Sequence, residues 1–151
     1  LLGPEQSVFL LMDEPEKAAQ GMKMHYDQQL AVMQEMLEGG VRAVMAMDNL
    51  DTQFHPPHYV EQYSAAFYEE ASALCHPYDA TFWIHACGQQ KNNLKLISSL
   101  GVDGLEGVAF PPAGDVTLPE AFALSGDRFL ITGGISAIRC EHLQTREEVF
   151  D

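Results

Sequence analysis

Thr81-Phe82-Trp83-Ile84-His85-Ala86-Cys87-Gly88 is apolar at most positions and is closed by a glycine. A short apolar run without polar alternation is the mark of a strand covered on both faces, as in parallel sheets. Leu94, Ile97 and Leu100 follow at helical spacing, and Gly101 ends them. A second apolar run, Gly104-Leu105-Glu106-Gly107-Val108-Ala109-Phe110, then stops at Pro111-Pro112. Strand, helix and strand in so short a span make a βαβ unit with parallel strands.

The same pattern extends in both directions. Upstream, Met22, Tyr26, Leu30, Met33 and Leu37 mark a long helix over residues 13–37, with Asp13 as its N-cap and Pro15 in its first turn. Gly39-Gly40 stops it, and residues 41–47 read as a strand buried on both faces. Tyr59, Tyr63, Phe67, Ala71 and Leu74 give one helix after Pro56-Pro57. Downstream, Thr117-Leu118-Pro119-Glu120 is a capping box, and Phe129-Leu130-Ile131-Thr132 is a strand ending in Gly133-Gly134. A second capping box, Thr145-Arg146-Glu147-Glu148, opens a last helix.

Four strands in 151 residues fall short of a closed eight-stranded barrel, which takes ~250 residues. The expected fold is α/β: a partial (β/α)8 TIM barrel of about four βα units, forming a single half-barrel domain over residues 1–151. An open four-stranded sheet is the alternative. A half-barrel leaves the inner face of its sheet bare. Such a chain is expected either to pair with a second copy, as a homodimer, or to be a truncated piece.

Eight Lys and Arg against 22 Asp and Glu give a net charge of −14. That balance excludes a nucleic-acid or anionic-membrane partner, because phosphate binding needs clustered cations. No apolar run approaches the ~20 residues of a membrane span. Residues 1–5 lack the features of a secretion signal. Cys75, Cys87 and Cys140 are too scattered for a disulfide framework, so the cytoplasm is the expected compartment.

Parallel strands carry their chemistry at their C-terminal ends. His85 and Cys87 are two residues apart and so share a face of the strand. Imidazole and thiol are donors that zinc accepts, although a hydrogen-bonded core histidine beside a small apolar cysteine fits the spacing as well. Glu106, mid-strand, is a third metal ligand, a group that orients a ligand, a substrate contact, or a carboxylate in solvent. Asp48 either accepts a hydrogen bond at the mouth or caps its loop. The amides of Gly133 and Gly134 face an anion or merely permit a tight turn. Asp115 reads as a turn and cap residue. His55 and His58 flank the Pro-Pro loop within reach of the mouth, and Cys140 has the chain length to fold back toward His85 and Cys87.

Ile84-His85-Ala86-Cys87-Gly88, Leu100-Gly101-Val102-Asp103-Gly104-Leu105-Glu106, Pro111-Pro112-Ala113-Gly114-Asp115-Val116 and Thr132-Gly133-Gly134-Ile135, in that order, resemble the uroporphyrinogen decarboxylase superfamily. The likeness covers nearly all of the chain but only the later part of a family barrel. The H-x-C-G strand end is similar to the cobalamin-dependent methyltransferase branch. The resemblance implies that His85 and Cys87 ligate Zn2+, with Cys140 standing in for a later cysteine. It implies a thiol acceptor and a methyl donor that is methylcobalamin or a corrinoid protein. A metal-free decarboxylase is the second expectation, though the decarboxylases' arginine-bearing segment lies outside the matched stretch. A catalytically incomplete half-barrel that self-associates is the third.

Overall fold

The computed structural model of the protein describes residues 3–134 and Thr145. Cys140 and the helix expected to open at 145–148 lie outside the described residues.

The chain begins with a helix the periodicity did not signal, α1 (Pro4–Asp13). Pro4 fits the first turn, where its missing N–H would be unpaired anyway, and Gly3 is extended before it. Asp13 is therefore not the N-cap of the long helix; it ends α1. Pro15 imposes the break, because the residue before a proline is pushed out of helical geometry, and Glu14 sits at φ −138°, ψ 57°. The long helix α2 (Pro15–Glu38) starts immediately afterwards, with no side-chain cap on its first turn.

Strands then alternate with helices: β1 (Ala43–Ala46), α3 (Pro57–Tyr63), α4 (Ala65–Cys75), β2 (Thr81–His85), α5 (Leu94–Ser99), β3 (Gly104–Val108), α6 (Leu118–Ser125) and β4 (Leu130–Gly133). The single helix expected over residues 59–74 is two, α3 and α4, joined at the buried Ser64. The strands form one parallel sheet in the order β1-β2-β3-β4. Sequential parallel strands with helices packed on one face are consecutive units of a (β/α)8 barrel, and the described residues hold four such strands.

Burial along β2 shows which face is which. Phe82, Ile84 and, just past the strand, Ala86 are buried against Leu37, Val60, Tyr68, Ala71, Leu94 and Ile97. Trp83, His85 and Cys87 alternate with them on the other face, which in a closed barrel is the lumen. Among the described residues no strand opposes that face, so the expectation that residues 41–47 are buried on both faces does not hold. Val44 is buried, whereas Met45 is 39% and Met47 65% exposed. Both margins of the array carry bare apolar groups: Val32 and Met36 of α2 beside β1, and Phe122 of α6 with Leu130 of β4 at the far edge. A groove of about 430 Å3 runs between α2 and β1.

Two carboxylates after β3 tie this region to the loop that follows β2. Asp115, expected as a turn and cap residue, instead accepts the amides of Gln90 and Lys91 in the loop after β2, at 2.7 and 3.1 Å. Glu120 accepts the backbone N–H and hydroxyl of Thr117, and its carboxyl is held down to about 2, first by the Lys91 ammonium and then by these Thr117 bonds. Among the described residues no helix is long and apolar enough to cross a membrane.

Candidate active site at the strand ends

The β2–β3 register sets His85 opposite Glu106. Both point to the lumen face, and the imidazole Nδ1 lies 2.5 Å from Glu106 Oε2. The ladder continues beyond the strand, since the Ala86 amide donates to the Glu106 carbonyl at 2.8 Å. His85 lies over Gly107, whose φ of +82° needs glycine. A Cβ at Gly107 would stand 2.8 Å from His85 Cε1. Gly107 thus makes room for the imidazole. A glycine inside a strand pattern is the sequence signal for such a close approach, and this one was not singled out.

With Nδ1 engaged by the carboxylate, Nε2 is the ring nitrogen left for a ligand. Histidine–carboxylate pairs of this kind fix the tautomer and orientation of metal-binding imidazoles. Cys87 is exposed, and its Sγ lies 3.7 Å from Asn49 Oδ1, a long contact that leaves the thiol accessible. Asn49 itself adopts φ +50°, a left-handed turn at the end of β1 that asparagine tolerates. In donor chemistry His85 Nε2 and the Cys87 thiol suit zinc, which commonly takes four ligands. Among the described residues no group of three or more His, Cys, Asp or Glu comes together to hold a metal ion.

Asp48 goes elsewhere. Its Oδ2 accepts the Tyr68 hydroxyl at 2.5 Å, on the helix side of β1's end. Tyr68 is fully buried. Burial and, after it, the Asp48 charge push its phenol far above the usual tyrosine range, so it stays a donor. Gly134 is also committed: its amide donates to the Val108 carbonyl at 2.8 Å, and Gly133 pairs with Val108 in the sheet. The glycine pair lets β4 approach β3 closely, with φ +133° and +86°, and the Gly134 amide is not available to an anion. His55 lines a recess behind Asp48, together with Tyr59.

Residues 2–135 match the family model for uroporphyrinogen decarboxylase (URO-D). The chain belongs to the uroporphyrinogen decarboxylase family. Neither a curated protein nor a solved structure gives a match. Family membership accounts for the parallel array as part of a TIM barrel. It supports an activity within the decarboxylases and their related methyltransferases. In TIM barrels the reacting groups sit at the C-terminal ends of the strands, and His85 is the last residue of β2.

Proposed function

We propose that the chain carries the strand-end half of a cytoplasmic, zinc-assisted methyl-transfer site of the uroporphyrinogen decarboxylase-like methyltransferase type. The observation that carries this reading is the His85–Glu106 pair on the lumen face with an accessible Cys87 thiol two residues on. A coordinated thiol is deprotonated outright, so zinc there would present a thiol acceptor as a thiolate nucleophile toward a corrinoid-borne methyl group. The chain's own part is to orient: Glu106 holds Nδ1, Gly107 leaves space for the ring, and His85 presents Nε2. Cys140 is the proposed further ligand. Elemental analysis of the purified chain should find roughly one zinc per chain, held by His85, Cys87 and Cys140 with the fourth position left open to the acceptor thiol. Thiol consumption with methylcobalamin should then depend on that zinc. Protein that stays zinc-free after incubation with excess metal would leave the metal-free decarboxylase as the surviving activity.

A second reading draws on the bare apolar groups at both margins of the array. Two copies placed edge to edge would make eight strands, the number that closes this barrel. Light scattering should then show a mass that rises from monomer to dimer with concentration. A monomer at every concentration tested would remove this reading.

A further inference from the structure

Residues 87–90, which follow β2, lie one by one against residues 49–52, which follow β1. Cys87 Sγ meets Asn49 Oδ1. The Asp51 carboxylate fills the space that a Cβ at Gly88 would need, and Gly88 has a φ of +100°. The Gln89 carbonyl accepts both the amide and the hydroxyl of Thr52, each at 2.8 Å. Gln90 Nε2 donates to the Leu50 carbonyl. The Leu50 amide in turn donates to the His85 carbonyl at 3.2 Å, so the same pairing reaches the end of β2 that bears the imidazole.

Gln90 does more than its neighbours in this pairing. Its side chain is fully buried, as is Leu50, and its backbone N–H donates to Asp115, after β3, at 2.7 Å. One residue thus ties the loop that carries Cys87 to the loops on both sides of it. A buried amide is costly unless its donor meets an acceptor, and that acceptor fixes its direction. An apolar side chain would fill the same space and fix no direction. We propose that Gln90 is the positioning residue of the strand-end site: it sets where Cys87 stands relative to His85 without itself being a ligand. For its chemistry this rests on the zinc-site reading above, and for its mechanics on the hydrogen bonds alone.

The test compares the full chain with Gln90→Met, which keeps a long side chain and removes the amide, and with Met33→Val, a core change on α2. Cobalt(II) is the probe metal, because its absorption reports thiolate coordination. Gln90→Met should bind cobalt about tenfold more weakly, as expected when a group that orients a metal ligand is lost, and should show a weaker thiolate band at saturation. Met33→Val should change neither. In the metal-free chain, amide exchange at Leu50 and Thr52 should quicken about three- to tenfold in Gln90→Met, the equivalent of one hydrogen bond, with β2 still protected. Thr52→Ala removes one of the two donors to Gln89 from a half-buried residue and should act in the same direction, so it serves if Gln90→Met fails to fold. Exchange at Leu50 and Thr52 that is unchanged, or that quickens throughout the sheet, would overturn the proposal. So would unchanged cobalt affinity in a chain that binds cobalt. A thiolate band missing from the unaltered chain would count against the zinc reading alone, and exchange at Leu50 and Thr52 would then decide whether Gln90 holds the loop.

Discussion

A Phe82→Ala variant is expected to lose about 3–5 kcal/mol of stability, the usual cost of deleting a large aromatic side chain from a core. Phe82 lies on β2, a strand with partners on both sides, and its side chain is 1% exposed. The Phe67 ring meets it edge-on at 6.2 Å and the Tyr68 ring lies at 6.3 Å. This ring is one of the contacts that hold α4 to the sheet, beside the buried Ala71, Cys75 and Ile84. Among the described residues no strand or helix covers the sheet's other face, so burial on the helix side carries most of the stability. Small domains hold only about 5–15 kcal/mol in total, which makes the expected loss a large fraction. Urea unfolding followed by circular dichroism should show a lower midpoint with an unchanged slope. Trp83→Ala, one residue along and on the lumen face, should cost less, because Trp83 is only half-buried over Gly104. Equal losses at the two positions would mean that both faces are covered in solution, and would point to a partner on the lumen face.

The strands were legible because each is a short apolar run bounded by glycine or proline, and burial in a parallel sheet demands that pattern. The helices between them were legible from their three- and four-residue spacing, except where the backbone interrupts it. α1 was missed because its apolar residues Val8, Phe9 and Met12 face solvent, at 53%, 55% and 73% exposure. Val8-Phe9-Leu10-Leu11-Met12 is also one unbroken apolar run, which carries no helical period. The site was legible only as far as one strand reaches. Alternation put His85 and Cys87 on one face of β2, and the structure keeps that alternation. The pairing of His85 with Glu106 depends on the register between β2 and β3, which neither strand's residues encode alone. The same holds for Asp48: the carboxylate looks catalytic at a strand end until Tyr68, twenty residues away, takes its oxygen.

Glu106→Gln is expected to weaken zinc binding by about 10-fold, and Glu106→Ala by up to about 100-fold, the range found when a partner of a metal-binding histidine is removed. The carboxylate does two things for His85: it fixes the proton on Nδ1, which leaves Nε2 as the ligand nitrogen, and its charge lies beside the ring that would carry the metal. Glutamine keeps an acceptor oxygen 2.5 Å from Nδ1 if the side chain stays where it is, so it retains the first effect and loses the second. Alanine loses both. Competition with a chelator gives the affinities, and the imidazole nitrogen signals report the tautomer independently of metal. A His85→Ala/Cys87→Ser double variant sets the floor, with no zinc retained. Gly107→Ala separates position from charge: its Cβ would stand 2.8 Å from the imidazole at a φ of +82°, so the ring must move while Glu106 stays charged. Should Gly107→Ala weaken zinc as much as Glu106→Ala, placement of the ring is what the metal depends on. A loss confined to the Glu106 variants would assign the effect to charge. Zinc affinity unchanged in all three would detach His85 from the metal and leave its bond to Glu106 as a link between β2 and β3.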